Sequence, residues 1–245
     1  MDPGFILAGD HPEHMLRACR WLALEVKYVD PVVEFYREHL GVPVAQTSDR
    51  EVALDVGAGG ELRLRRPDGV PRGGLHTHYA LACPADAYDA WWDRLEPAFD
   101  LQEVDFGGMR SLYFYDPEGN CVEIAGASDA GGAKPTLEGI FEVVFEVEDL
   151  PASEAFYTDL GFEVVDRGKD RKRTRLTTGP FDVELWEPHL GLADARGGVH
   201  VDVGLVADDP ETVADSVAAR ATKRELVDGE LRIRDPDGHY LTLLS

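Results

Sequence analysis

The sequence predicts an α+β fold in which a β-α-β-β-β unit occurs four times and forms curled sheets. A Phe-Tyr pair followed by Leu-Gly at residues 35–41 returns at residues 156–161, about 120 positions later. An Asp-Pro-x-Gly run at residues 116–119 likewise returns at residues 235–238. A repeat of this length indicates a duplicated domain, because each copy is large enough to fold as a unit.

The first half begins with a half-buried strand at residues 21–26, where apolar residues alternate and strand formers dominate. Asp30 as N-cap and Pro31 at the first helical position then predict a helix, which Gly41 ends. The other predicted elements of this half are a helix at 85–95 and strands at 52–56, 62–64, 77–83, 111–115 and 121–125.

The second half repeats this order after a segment rich in glycine. Its predicted elements are helices at 150–160 and 210–220 and strands at 141–147, 183–186, 199–206, 231–234 and 240–244. Three successive strands after each helix fit ferredoxin-like halves poorly. We therefore predict a leader at residues 1–18, a first domain at 19–128, a linker at 129–138 and a second domain at 139–245.

Composition argues against several classes of partner. The 245 residues include 47 Asp and Glu against 24 Lys and Arg, a net charge of −23, spread along the chain as on the solvated surfaces of halophilic proteins. Such a surface repels nucleic-acid phosphates and anionic lipid, so we expect neither partner. No apolar run approaches the roughly 18 residues of a membrane span and no signal peptide is indicated, which predicts a cytoplasmic protein. Cys19, Cys83 and Cys121 form no Cys-x-x-Cys pair, so we expect reduced thiols.

Taken together, the motifs resemble those of the vicinal oxygen chelate superfamily, which includes glyoxalases, bleomycin-resistance proteins and extradiol dioxygenases. The resemblance rests on the two helix ends, on a Gly-x-His strand start in each half, and on Asp-Pro-x-Gly-Asn-x-x-Glu at residues 116–123. It covers residues 19–128 and 138–245, nearly the whole chain. It implies two barrel-like cavities, each lined by two modules, with metal ligands from the first and last strand of a module.

The positions that the resemblance assigns to ligands differ between the four modules. In chain order they are Trp21 and Arg63 (or Glu61), His78 and Glu123, Glu142 and Glu184, and His200 and Thr242. Trp has no lone pair to donate and Arg is a permanent cation, so the first module cannot bind a divalent metal with its pair.

Two pairings of the modules remain open at this point. Pairing across the halves, as in glyoxalase I proteins, implies one divalent ion (Zn²⁺, Ni²⁺, Mn²⁺, Co²⁺ or Fe²⁺) bound by His78, Glu123, Glu142 and Glu184. Pairing within each half, as in extradiol dioxygenases, separates these four residues. Trp21 and Arg63 then join His78 and Glu123 in one cavity, and His200 and Thr242 join Glu142 and Glu184 in the other.

The resemblance implies two kinds of enzyme. The first is a metal-dependent glyoxalase-like lyase or isomerase that acts on a small vicinal-oxygen substrate through an enediolate, with Glu123 or Glu142 as the base. The second is a ring-cleaving dioxygenase, which needs two His and one carboxylate around Fe²⁺. His76, if it shares a strand face with His78, would complete that set with Glu123.

A ligand-sequestering protein of bleomycin-resistance type is the third possibility, with Trp21 and Trp186 lining an apolar cavity. Every one of these functions expects a small-molecule ligand and a monomer or homodimer.

The phase of the strands decides whether Glu142 and Glu184 line a binding site or lie on the surface. Burying an ionised Glu without a partner costs several kcal/mol, so inward-facing Glu142 and Glu184 would need a cation, a proton or solvent. Facing outward, they would be ordinary surface acids.

Overall fold

A computed structural model of the chain describes residues 15–67, 75–129, 131–169, 172–188 and 201–245. His200, which the sequence assigns to a ligand position, lies outside the described residues. Most of the predicted leader does so too.

Three of the four predicted modules contain one more strand than the sequence pattern reveals, and the third contains two more, Glu163–Arg167 and Arg173–Thr177. The first module comprises β1 (Leu16–Glu25), α1 (Val29–Leu40), β2 (Val44–Thr47), β3 (Glu51–Asp55) and β4 (Glu61–Arg65). The second comprises β5 (Leu75–Pro84), a 3₁₀ turn (Ala85–Ala87), α2 (Tyr88–Leu95), β6 (Gln102–Asp105), β7 (Arg110–Tyr115) and β8 (Cys121–Ser128).

The second half of the chain repeats this arrangement. The third module comprises β9 (Ile140–Glu146), α3 (Leu150–Asp159), β10 (Glu163–Arg167), β11 (Arg173–Thr177) and β12 (Asp182–Trp186). The fourth comprises β13 (Val201–Ala207), α4 (Pro210–Ser216), β14 (Lys223–Val227), β15 (Glu230–Arg234) and β16 (Tyr240–Leu244).

The strands form two eight-stranded sheets, and each sheet combines modules from both halves of the sequence. Sheet A has the order β14-β15-β16-β13-β1-β4-β3-β2, and sheet B has the order β10-β11-β12-β9-β5-β8-β7-β6. The antiparallel pairs β1–β13 and β5–β9 join the modules at the centre of each sheet. The α+β class with four repeated modules and two curled sheets is therefore confirmed. The pairing of modules is the one across the halves.

The elements that the sequence pattern missed or misplaced have physical causes. Strands β2, β6, β10 and β14 are edge strands with mostly exposed side chains, so they lack the apolar alternation that marks a half-buried strand. Helix α1 begins at Val29 with Tyr28 as its N-cap, so the predicted N-cap Asp30 lies in the first turn. There its carboxylate interacts favourably with the helix dipole. Helix α4 also differs from its predicted range of 210–220, because it ends at Ser216.

The repeated sequence motifs connect the two sheets. Tyr36 on α1 donates a hydrogen bond of 2.8 Å to Asp116, in the turn between β7 and β8. Tyr157 on α3 donates the equivalent bond of 3.0 Å to Asp235, in the turn between β15 and β16. A main hydrophobic core with side chains from both sheets and all four helices surrounds these contacts. No helix within the described ranges is long and apolar enough to cross a membrane.

Trp21 lies flat against the backbone of its cross-strand partner Gly204, in sheet A. A Cβ atom at position 204 would overlap the indole ring. We expect Gly204→Ala to lower the free energy of unfolding by about 2 kcal/mol, because the ring must move away from a packed position. Urea unfolding measures the change. Gly131→Ala is the control, since a Cβ at that position meets nothing within 4 Å. Equal stability of the two variants would contradict the expectation.

Candidate metal centre

Four central strands of sheet B carry the second and third modules' predicted ligands into one cavity. His78 lies on β5, Glu123 on β8, Glu142 on β9 and Glu184 on β12. Ala80 pairs in register with Glu123 on one side and with Glu142 on the other. Because its side chain is a methyl group, the two carboxylates and the imidazole face a common space. The phase of the strands is inward for all three glutamates.

Three of these four residues form a compact cluster of donor atoms. His78 Nε2 lies 3.3 Å from Glu123 Oε2 and 3.9 Å from Glu142 Oε1, and the three side chains are buried. One ligand atom from each residue falls within 4.8 Å of the others. The Thr77 hydroxyl lies 3.2 Å from Nδ1 of His78 and helps to orient the ring. One imidazole and two carboxylates with open positions suit a divalent cation.

Glu184 lines the same cavity but stands outside that cluster. Its Oε1 atom accepts a hydrogen bond of 2.5 Å from Arg173, and its Oε2 atom accepts one of 2.5 Å from the indole of Trp186. Both carboxylate oxygens therefore already have strong partners. Glu184 is positioned to join a bound ion only if these contacts change.

Two arginines enter the cavity, and the sequence pattern did not reveal them. Arg175 Nη2 lies 3.1 Å from Glu142 Oε2 and 2.6 Å from Asp182. Arg173 binds Glu184 and also Asp166 at 2.7 Å. The available signal was Arg-Thr-Arg at 173–175, which places two arginines on one face of a strand. It was missed because β11 was not predicted as a strand.

The charges of the cluster perturb its protonation. Burial opposes charge on both His78 and Glu123, but their mutual hydrogen bond and attraction outweigh it. The pKa of His78 is therefore raised and the pKa of Glu123 is lowered. Burial raises the pKa of Glu142 to about 8, and the neighbouring carboxylates of Glu184 and Glu123 add to the rise that Arg175 opposes. In the metal-free cluster these shifts favour the charged forms of His78 and Glu123 and the neutral form of Glu142.

Aromatic side chains enclose the cluster in a cavity of about 90 Å³. The rings of Tyr113 and Trp186 contact the imidazole of His78 edge to face, with centroids at 5.6 and 5.7 Å. Burial and the hydrogen bond to Glu123 raise the pKa of Tyr113, so its hydroxyl stays protonated. Phe106 and Phe141 also line this cavity.

The alternative triad with two histidines does not form. The pairing of β5 with β9 shifts register between His76 and His78, which breaks the alternation of faces. His76 is fully buried and its ring contacts that of Tyr79, a core residue, at 6.5 Å between centroids. The prediction that His76 could join His78 and Glu123 is therefore wrong for this arrangement of the chain.

The predicted aromatic cavity with two tryptophans does not form either. Trp186 lies in the sheet B cavity, whereas Trp21 lies in a second cavity of about 350 Å³ on sheet A. This second cavity contains Arg63 and Thr242, as pairing across the halves implies. Its lining is mainly charged, not apolar.

Comparison with known proteins shows a similarity to one superfamily in the first half of the chain. Residues 19–124 match the Glyoxalase/Bleomycin resistance protein/Dioxygenase superfamily profile. This stretch of the chain is therefore similar to one domain of that superfamily. Metallothiol transferase FosB of Staphylococcus haemolyticus is 23% identical over 117 residues, which are 45% of this chain and 84% of that protein.

Solved structures match the fold over nearly the whole chain. Glyoxalase I from Zea mays has a TM-score of 0.67 and 18% identity, covering 93% of this chain and 92% of its own. A putative dioxygenase from Bacillus subtilis has a TM-score of 0.70 and 17% identity, covering 93% of this chain and 85% of its own. The resemblance that the sequence motifs indicate is therefore confirmed for the superfamily and for the two-sheet fold.

The raised pKa of Glu142 predicts how the stability of the metal-free protein depends on pH. The ordinary pKa of 4.5 applies in the unfolded chain, whereas the folded value is about 8, so the folded state binds the proton more tightly. The stabilisation is full below the unfolded pKa and is lost as pH rises toward the folded pKa. Glu142→Gln should remove this loss, measured by urea unfolding with chelator at about pH 5 and about pH 8.

Glu148→Gln is the matched control, because this glutamate of the same module is exposed. Its pH dependence should equal that of the unmodified protein. An identical pH dependence in Glu142→Gln and Glu148→Gln would show that Glu142 ionises normally in the folded state.

Proposed function

We propose that this protein is a metal-dependent lyase or isomerase of the glyoxalase type, acting on a small substrate with two adjacent oxygen atoms. The observation that carries the proposal is the buried His78, Glu123 and Glu142 cluster in a cavity to which both halves of the chain contribute. A bound divalent cation would supply a Lewis acid that polarises a carbonyl oxygen of the substrate. Three protein ligands leave positions for substrate oxygens.

Glu142 is the better candidate for the catalytic base. Glu123 is held by His78 and Tyr113, whose hydrogen bonds favour its ionised form and make it a weaker base. The environment of Glu142 raises its proton affinity, which suits a group that takes a proton from carbon near neutral pH. Removal of a proton from the carbon beside a carbonyl gives an enediolate, and return of the proton to the neighbouring carbon completes an isomerisation.

The arginines support a substrate or thiol with an anionic group. Arg173 and Arg175 line the same cavity as the three buried carboxylates, and a divalent ion bound there would compete with the guanidinium groups for the negative charge of those carboxylates. An anion near Arg175 would then compensate its guanidinium charge. This lining also favours a second candidate, thiol transfer to an anionic electrophile, since a relative is named a metallothiol transferase.

The dioxygenase and sequestering alternatives receive less support from the described site. A facial triad needs two His, and His78 is the one His of the cluster among the described residues. The two tryptophans expected to sequester a ligand lie in different cavities.

An assay of substrate turnover is the primary test of the lyase proposal. Purified protein is stripped of metal, reloaded with each divalent ion, and assayed with methylglyoxal and several thiols. No turnover with any ion would overturn the lyase proposal.

Metal stoichiometry tests the cluster itself. We expect one divalent ion per chain by elemental analysis, and His78→Ala should abolish binding, because the remaining carboxylates repel one another in a confined space. Thr242→Val, a change in the other cavity, should leave the metal content unchanged, as should His200→Ala. Two ions per chain, or loss of metal in Thr242→Val with retention in His78→Ala, would place the ion elsewhere.

The family resemblance implies that Glu184 is a fourth ligand, and the same metal-binding assay tests this role separately. Glu184→Gln keeps the volume and one of the two accepted hydrogen bonds, from Arg173 or from Trp186, and removes the charge. A loss of affinity as large as that of His78→Ala would support four ligands. A much smaller loss would support three ligands with Glu184 as the partner of Arg173.

Arg175→Met should have opposite effects on metal and on anions. Metal affinity should rise, because the variant frees Glu142 from an ion pair and removes a cation from the cavity. For the metal-loaded enzyme, kcat/KM with the anionic thiol mercaptoacetate should fall by about tenfold or more, while kcat/KM with neutral β-mercaptoethanol should not. Competition with a chromophoric chelator measures the metal affinity.

Arg167→Met is the matched control for this substitution. Arg167 lies on the neighbouring strand β10, is exposed and pairs with Glu154 outside the cavity. Neither property should change in this variant. A fall in metal affinity in Arg175→Met would show that the arginine stabilises the ligand set instead of competing with the ion.

A further inference from the structure

The cavity on sheet A is lined by arginine side chains in a strongly acidic protein. Arg63 and Arg65 reach it from β4, and Arg232 reaches it from β15. Their side chains are only 19%, 17% and 15% exposed. The volume of about 350 Å³ is at the lower end of the range for small-molecule sites.

Trp21 supplies a fixed hydrogen-bond donor at this cavity. Its ring is held between the backbone of Gly204 and the guanidinium of Arg63, whose carbon lies 3.6 Å from the ring centroid. With both faces covered, the indole cannot stack on a ligand. Its Nε1–H group is buried and has no hydrogen-bond partner among the described residues. A buried donor without a partner costs about 1–3 kcal/mol, so the group indicates a missing acceptor.

The acids of the cavity leave most of the arginine donors available. Arg63 binds Glu61 through two nitrogens, Arg232 binds Glu225 through two, and Arg65 bridges Glu51 and Asp202 through two. Each guanidinium has five N–H donors. The remaining lining acids, Asp228 and Glu230, are exposed at the rim. The interior of the cavity therefore retains guanidinium N–H donors that these carboxylates do not occupy.

We propose that the sheet A cavity binds a small oxyanion, a carboxylate or a phosphate, through the indole N–H of Trp21 and the guanidinium of Arg63. An oxyanion offers several acceptor atoms and the charge that arginine donors favour. This site is separate from the metal centre in sheet B and does not depend on the function proposed there. The overall charge of −23 repels anions at long range, so binding at this point requires the local arginines.

The indole N–H resonance of Trp21 gives a direct test in solution. Metal-free, ¹⁵N-labelled protein is titrated separately with inorganic phosphate and with acetate, and each is compared with sodium chloride at equal ionic strength. The chain has four tryptophans, and Trp21→Phe assigns the resonance by its disappearance. We expect a saturable shift of this resonance with one or both oxyanions. The stronger probe identifies phosphate or carboxylate as the preferred group.

Two variants test the donors by calorimetry with the stronger probe. Trp21→Phe keeps an aromatic ring but removes the N–H donor, and it should weaken binding by about tenfold. Arg63→Met keeps an apolar chain over the ring and should weaken binding at least as much. Arg224→Met is the control, because Arg224 on β14 pairs with Glu211 and Asp215 away from this cavity. It should bind the probe as the unmodified protein does.

Several results would overturn this site. A shift that sodium chloride reproduces at equal ionic strength would mean screening of charge and not binding. No saturable shift with either oxyanion would mean that the arginines and acids form a closed network of ion pairs. Equal affinity in Trp21→Phe, Arg63→Met and Arg224→Met would place the anion elsewhere. The absence of a saturable shift in all four indole resonances of the wild-type protein would overturn the site even if a variant fails to fold.

Discussion

The antiparallel pairing of β5 with β9 is the interaction on which the candidate site depends. It joins the first half of the chain to the second half at the centre of sheet B. Ala80 stands in register with Glu142 across this pair and with Glu123 across the neighbouring pair. A change of register by one residue would turn Glu142 to the core face and separate it from His78. The local small side chain at position 80 and the long-range pairing are both needed to gather the donor atoms.

The repeated motifs stabilise this arrangement without taking part in its chemistry. Tyr36 and Tyr157 each reach from a helix packed on one sheet to an aspartate in a closing turn of the other sheet. The hydroxyl–carboxylate bond is buried, so it fixes the relative position of the sheets and leaves few polar groups unsatisfied. Duplication preserved this structural pair in both halves. It did not preserve the side chains that face the cavities, and those differences give each cavity its own chemistry.

Arginine side chains pair with buried carboxylates in both cavities, but the two cavities differ in which groups remain without a partner. In sheet B, Arg173 and Arg175 compensate carboxylates that outnumber them, and the uncompensated charge is what a divalent ion would balance. In sheet A the arginines are likewise paired with carboxylates, but some of their N–H donors remain unused beside the indole N–H of Trp21, which has no partner among the described residues. In this chain of net charge −23 we therefore propose a cation for the first cavity and an anion for the second.

The sequence by itself determined the α+β class, the four modules and the superfamily, because repeated motifs and strand periodicity are local properties of the chain. It also pointed to His78, Glu123 and Glu142, whose places on strands follow from those motifs. Only the tertiary structure decided which modules share a cavity, since β-sheet pairing joins segments far apart in sequence. It alone showed Arg175 beside Glu142, because an arginine on an edge-proximal strand looks like a solvated residue until the strand is paired.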